Sequence, residues 1–189
     1  MLNQLVDLLN KNVSGSNAVL NQAADAKTDS SVTVDASAIF KVCDYLKKNT
    51  DMPFNALQCI SGVDYLDFME VCYIFAHFDV NAPRQLILKV KLTERVNPTV
   101  DSIVSLYPAA NFQEREVYDM FGIKFNNHPD PRRILCPDDW EGFPLRKDYV
   151  TQKMYNGMEV APDDKMNYDD REFIVRQDMI KKAQASKAQ

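Results

Sequence analysis

The sequence predicts an α+β protein, a two-layer domain with helices packed on a mixed, mainly antiparallel sheet, followed by an extended C-terminal arm. Three observations point there. Three apolar runs of strand length follow one another between Ala56 and Leu92 with only short links between them. Stretches with helically spaced apolar residues stand on either side of those runs, at 36–48 and 111–121. The residues from 150 onward carry seven acidic and seven basic groups and too few aliphatic ones for a second core.

Leu2, Leu5, Val6 and Leu9 form an amphipathic stripe that suits a short N-terminal helix. The polar, small-residue stretch from Ser14 to Ser31 reads as a loop, and Val32 to Val34 as a first strand. Asp35 is placed to cap a helix from Ala36 to about Lys48, with Ile39, Val42, Cys43 and Leu46 on its buried face. Pro53 separates that helix from the strands, which are read as Ala56 to Asp64, Phe68 to Phe78 and Gln85 to Leu92. In the third, Leu86, Leu88, Val90 and Leu92 alternate with Gln85, Ile87, Lys89 and Lys91, as a strand with one buried face requires. The links at Asp64 to Asp67 and Asp79 to Arg84 are too short for helical crossovers, so these neighbours run antiparallel.

Pro98 to Tyr107 reads as a short helix leading into the next element. Asn111 with Glu114 three positions on resembles a capping box. Phe112, Glu116 and Met120 then share one stripe, Val117 and Phe121 its neighbour, and Gly122 supplies the left-handed stop. Ile123 to Phe125 alternate like a short strand, while Pro129, Pro131, Pro137 and Pro144 keep the next stretch irregular. Residues 1–149 are thus one domain containing the segment 111–149, and 150–189 an extension with a helix near Arg171 to Lys182. That extension is expected to lie on a partner.

Bulk composition narrows the function classes. A chain of 189 residues, 46% apolar and 26% charged, holds one domain with a core plus extensions. The net charge of −5 gives nucleic acid no general reason to bind. No apolar run reaches the roughly 20 residues of a membrane helix, and the opening MLNQLVDLLNKNV lacks the basic region and cleavage site of a secretory signal. Cys43, Cys59, Cys72 and Cys136 are scattered without a CxxC pair, as expected of reduced, mostly buried thiols and not of an iron–sulfur cluster.

The segment 111–149 concentrates the chemistry, with eight acidic and six basic residues threaded by aromatic and aliphatic ones. Metal binding is not expected at His128, because His77 is about fifty positions away and a zinc site needs four converging ligands. Arg132 and Arg133 offer paired donors for phosphate, but Asp130, Asp138 and Asp139 flank them and no GxGxxG or GxxxxGK loop accompanies them. Glu114 and Glu116 diverge around a helix, whereas Glu116 and Asp119 are neighbours. With no nucleophile or cofactor loop at hand, these carboxylates are expected to ion-pair with Arg115, Arg132, Arg133 or Arg146. Half-made buried pairs are costly, which suits an obligate interface. A free-standing small enzyme built on His128 and the adjacent carboxylates is the competing class, and a stable monomer with an activity of its own is its mark.

The runs EREVYDMFGIKF, HPDPRRIL, DDW and PLRKDY, at fixed spacing over about forty residues, resemble the signature of the 30-kDa-type subunit of proton-pumping NADH:quinone oxidoreductase, respiratory complex I. Phe112 stands where Trp is common in that family, Asn127 where Gly often precedes the His, and Pro131 where Leu usually precedes the double Arg. The resemblance implies a non-catalytic assembly subunit of the peripheral arm, in contact with the 49-kDa-type quinone-site subunit. It implies a peripheral location on the cytoplasmic side of the inner membrane, or on the matrix side in mitochondria. NADH oxidation, FMN, the iron–sulfur centres and quinone reduction then belong to the whole translocase, and this chain is expected to hold no catalytic residue, cofactor or metal. The signature positions expected at the partner interface are Glu114, Arg115, Glu116, Asp119, Phe121, Gly122, His128, Arg132, Arg133, Trp140, Arg146, Lys147, Asp148 and Tyr149. The equivalent subunit of a membrane-bound energy-converting hydrogenase, or of another complex I-like dehydrogenase, is the alternative within the same resemblance.

Overall fold

Three nine-residue strands make the centre of the structure, a computed structural model that describes residues 2–22, 29–49, 53–78 and 84–160. In chain order the elements are α1 (Leu2–Asn12), β1 (Val19–Asn21), β2 (Ser31–Val34), α2 (Ile39–Lys48), β3 (Ala56–Asp64), β4 (Met69–His77), β5 (Arg84–Leu92), β6 (Thr99–Asp101), α3 (Ala110–Phe121), β7 (Lys124–Asn126), β8 (Met154–Tyr155) and β9 (Met158–Glu159). The main sheet has the order β1-β2-β5-β4-β3. Strands β3, β4 and β5 pair antiparallel, with Ile60 opposite Tyr73 and Tyr73 opposite Leu88. Strand β2 lies parallel to β5, and β1 antiparallel to β2. The mixed, mainly antiparallel α+β architecture is as the sequence predicts.

Strict alternation puts Met69, Val71, Tyr73 and Phe75 of β4 on the same face as Leu86, Leu88, Val90 and Leu92 of β5, all buried. They join Leu5 and Leu9 of α1 and Ile39, Val42, Cys43 and Leu46 of α2 in one core. The expected helical stripes are therefore the buried ones. Helix α3 closes the free edge of β3. Gln113 Oε1 accepts the Ile60 N–H at 2.6 Å, and the Phe121 ring lies where a side chain on Gly62 would be, 2.7 Å from a Cβ built there. An exposed edge invites pairing with foreign strands, and this helix blocks it.

Several expectations need correction. The stretch 14–31 contains strand β1, which composition hides because its pairing comes from β2 and its anchor from Asn10, whose side chain accepts the Ala18 N–H at 2.7 Å and donates to the Ala18 carbonyl at 3.0 Å. Asp35 makes no side-chain cap; its carboxylate takes the Asn17 amide instead, and a single 3-10 turn at Ala36–Ala38 precedes α2. Pro98 to Tyr107 is not a helix. Thr99–Asp101 extend as β6, parallel to β7, with Val100 opposite Phe125, and only a turn at 104–106 follows. The strand partner lies over twenty residues downstream, beyond the reach of local propensity.

The α3 start is also different from the capping-box reading. The helix begins at Ala110 with Ala109 as N-cap and no side-chain cap, and Glu114 turns inward instead of back along its own helix. Of the four free cysteines only Cys43 is buried; Cys72 and Cys136 are half-buried and Cys59 is exposed. A register shift between Leu57 and Cys59 turns two successive residues of β3, Gln58 and Cys59, outward.

The described residues fall into two units, the first ending at Tyr149 and the second starting at Val150. In the second, β8 and β9 form a hairpin turned by Asn156 and Gly157, both at positive φ (48° and 77°), the pairing that a tight two-residue hairpin favours. The expected helix at Arg171 to Lys182 lies outside the described residues.

Candidate functional site

The signature segment is a helix followed by a loop, 127–149, that folds back along it; buried Asp119 holds the loop and buried Glu114 ties the helix to the end of β6. Asp119 is fully buried. Its Oδ2 accepts the backbone N–H groups of Ile134, Leu135 and Cys136 at 3.1, 2.7 and 2.8 Å, and its Oδ1 accepts from Arg133 Nη1 at 2.8 Å. Burial alone pushes a carboxyl pKa up, but these three amides and the guanidinium outweigh it and hold Asp119 below the usual carboxylate range. Pro131 and Pro137 keep the loop out of regular structure, so its backbone donors need such an acceptor.

Glu114, one turn and a half earlier, is also fully buried but has no guanidinium partner among the described residues. Its Oε1 accepts the Ile103 N–H at 2.8 Å and thereby ties α3 to the end of β6. Its Oε2 lies 3.8 Å from His128 Nε2. Burial raises its pKa to about 7, against the lowering by Ser102 and the Ile103 amide. His128 accepts the Asp130 N–H at Nδ1 (3.0 Å), which leaves its proton on Nε2, 3.1 Å from the Asn111 carbonyl. The ring is thus a clasp between helix and loop. Asn127, just before it, has φ 61°, a left-handed conformation that Gly adopts freely and Asn tolerates best among other residues. Asn thus occupies at this position a backbone conformation that Gly would also adopt.

Because native Glu114 binds its proton more tightly than the unfolded chain does, stability is fully present below about pH 4.5 and falls as pH rises through about 7. The expected loss is about 3 kcal/mol. Glu114→Gln is expected to flatten that slope, as measured by denaturant unfolding between pH 4.5 and 8.

Phe143 is clamped between two cations, with Arg133 at 5.2 Å and Arg146 at 4.8 Å from the ring centroid and Tyr118 edge-on at 6.1 Å. Arg146 Nε donates to the Phe121 carbonyl at 2.6 Å, and Leu145 N–H to that of Met120 at 3.0 Å, so the loop caps the end of α3. Gly122 at φ 73° sits beneath: a Cβ there would lie 2.4 Å from the Phe143 ring and 2.7 Å from Arg146 Nη2. Arg133 Nη2 also reaches the Gly142 carbonyl at 2.9 Å, and Trp140 Nε1 donates to the Tyr149 hydroxyl at 3.1 Å.

Arg115 donates to the carbonyls of Arg132 (3.0 Å) and Arg133 (3.0 Å) and lies 3.6 Å from Asp130. Arg132 holds Asp130 through two bonds of 2.7 and 2.8 Å, yet its side chain is 75% exposed. Asp130 is kept at a pKa of about 2, chiefly by that guanidinium. At the far end, the Lys147 N–H donates to Asp64 Oδ2 at 3.0 Å, and Arg95 bridges Asp64 (2.5 Å) and Asp148 (3.3 Å).

The structure therefore brings Asp119 with Arg133, Arg115 with Arg132, Arg146 with Phe121 and Gly122, and Trp140 with Tyr149. It does not pair Glu114 or Glu116 with any of the four expected arginines; Glu116 is exposed on the outer side of α3. The sequence reading missed Asp64 and Arg95, which anchor the loop's end from β3 and the link after β5. An Asp at a strand end ordinarily signals a turn, so no local pattern distinguishes Asp64. Phe112 (65% exposed), Leu135 (61%) and Leu145 (55%) leave apolar surface open on the same segment. Among the described residues no group of three or more His, Cys, Asp or Glu is arranged to hold a metal, and no helix is long and apolar enough to cross a membrane.

The chain matches the family model of "Respiratory-chain NADH dehydrogenase, 30 Kd subunit" over residues 32–155. It is 43% identical over 118 residues to an NADH-quinone oxidoreductase subunit of Chloroherpeton thalassium, covering 61% of this chain and 48% of that one. The NADH-quinone oxidoreductase subunit of the same type from a Roseiflexus species is 45% identical over 129 residues, covering 67% of this chain and 72% of that one. An NAD(P)H-quinone oxidoreductase subunit of Prochlorococcus marinus is 41% identical over 128 residues, 65% of this chain and 69% of that one. The matched stretch thus spans about half to nearly three quarters of these relatives. A solved structure of the membrane-bound sulfane sulfur reductase, an archaeal respiratory membrane complex, contains a chain of similar fold, with a TM-score of 0.62 at 22% identity over 88% of this chain and 96% of that one.

Proposed function

The chain belongs to the 30-kDa subunit family of respiratory-chain NADH dehydrogenase, and on that premise we propose that it is a non-catalytic assembly subunit in the peripheral arm of a proton-translocating NADH:quinone oxidoreductase. The observation that carries this reading is that the family match encloses the segment whose buried acids serve as structural acceptors, Asp119 for the loop's amides and Arg133 and Glu114 for the Ile103 amide. Such a segment is built to keep a surface in shape. In this reading Glu114, Asp119, Phe121, Gly122, Arg133 and Arg146 shape the loop from within. The exposed Phe112, Arg132, Leu135, Leu145, Lys147 and Asp148 face the companion, which is the 49-kDa-type quinone-site subunit.

FMN, iron–sulfur clusters, NADH and quinone are in this proposal held by other subunits. The chain sits peripherally on the cytoplasmic or matrix side of an energy-conserving membrane. Recovering the tagged chain from mild-detergent membranes and identifying its companions by mass tests all of this at once. The expected companions are a quinone-site subunit together with an NADH- and flavin-binding one. A hydrogenase-type or sulfur-reducing partner in place of the flavoprotein moves the chain to a related respiratory complex, and a lone chain sinks the reading.

A further inference from the structure

A groove of about 380 Å3 opens between α3, β7 and the loop after β7, a size within the range of ligand-holding pockets. Tyr118, Phe125 and Pro131 give it apolar walls, and the buried pair Glu114 and His128 also line it. Glu114 Oε1 is occupied by the Ile103 amide and the Ser102 hydroxyl stands by the carboxyl, but Oε2 is buried and makes no hydrogen bond among the described residues. His128 Nε2, at 3.8 Å, is beyond hydrogen-bond reach and faces the Asn111 carbonyl instead. A buried carboxyl oxygen left without a hydrogen-bonding partner is unfavourable, so the groove is shaped around a missing polar group.

The rim selects the kind of donor. Arg115 and Lys124 both line the groove. Arg115 is engaged by the Arg132 and Arg133 carbonyls, whereas Lys124 is exposed and makes no ion pair among the described residues. The charge of Arg115 is offset by Asp130 at 3.6 Å, so it is Lys124 that repels an incoming lysine or arginine, the ordinary partners of a carboxylate. Apolar walls favour an aromatic ring with a polar tip, the side-chain type that anchors interfaces.

Resting on the reading of the chain as a subunit, we propose that this groove seats a tyrosine side chain of a companion polypeptide, its hydroxyl donating to Glu114 Oε2 and acidic residues beside it meeting Lys124. A phenol both donates and accepts, so it serves Glu114 with or without its proton. The lysine on the rim steers and orients the acidic flank more than it adds affinity.

The test places a benzophenone photo-cross-linker at position 124 or 131 of the full tagged chain in its native membranes, followed by mild-detergent recovery and mapping of the cross-linked peptide. Cross-links from both positions are expected within a few residues of one tyrosine flanked by acidic residues on a single companion. Replacing that tyrosine with phenylalanine, or Lys124→Glu, is expected to lower recovery of the companion about tenfold, the equivalent of one charge-assisted hydrogen bond. Lys124 is exposed, so its reversal leaves the fold intact. Cross-links that land on a basic or aliphatic stretch, or unchanged recovery in both variants, overturn the inference while the companions still present keep the subunit reading. Recovery of no companion overturns both.

Discussion

Asp119→Ala is expected to destabilise the domain by about 3–5 kcal/mol, because a buried charge is removed from four donors that converge on it. The Ile134, Leu135 and Cys136 amides and Arg133 Nη1 all converge on this one carboxylate. Water reaches the site poorly, so each donor loses most of its bond without replacement. Asp119→Asn is expected to rescue little, since an amide nitrogen would face donors where an oxygen now accepts. Thermal or denaturant unfolding of the isolated chain gives the first measurement. In cells the variant is expected to lower the amount of assembled complex more than the turnover of whatever assembles. Normal abundance with activity lost would contradict the assembly role.

Gly122→Ala is expected to cost a similar 3–5 kcal/mol through two additive causes, a left-handed backbone that disfavours a Cβ and an overpacked site. The φ of 73° penalises any L side chain, and the new methyl would stand 2.4 Å from Phe143 and 2.7 Å from Arg146 Nη2. Relief requires Phe143 to leave the space between Arg133 and Arg146, which also loosens the Arg146 bond to the Phe121 carbonyl. Gly142→Ala makes the control: φ is 77° there too, but the nearest atom, on the Tyr149 ring, lies at 3.0 Å. A smaller loss of melting temperature at 142 than at 122 is therefore expected. Equal losses would show that backbone strain alone decides, and that the Phe143 clamp contributes nothing.

Both sites are legible in the sequence as residues, but not as a mechanism. Gly122 as a helix stop follows from its position after a run of helical spacing, and its left-handed φ agrees. The sequence pairs Asp119 with one of four arginines, and Arg133 is the one. Its three amide donors are invisible in sequence, because a loop's backbone has no side-chain signature. Glu114 illustrates the opposite outcome. Its spacing from Asn111 imitates a capping box, yet the acid turns inward to the Ile103 amide. Local hydrogen bonding at a helix start is worth about 1 kcal/mol, so a buried tertiary partner easily wins.

Sequence by itself determined the α+β class, the three long strands and their antiparallel order, the buried stripe of α2, and the segment that carries the family signature. These depend on periodicity and short links, which are properties of neighbouring residues. Tertiary structure alone decided that Thr99–Asp101 is a strand, that Val19–Asn21 pairs with β2, that Asp64 and Arg95 hold the loop's far end, and that the two buried acids of one helix have opposite titration shifts. Each of these depends on groups brought together across the chain. Burial pushes both carboxyls up, and the donors around each decide the outcome: Asp119 has four and is held low, while Glu114, whose Oε2 has none among the described residues, rises to about 7.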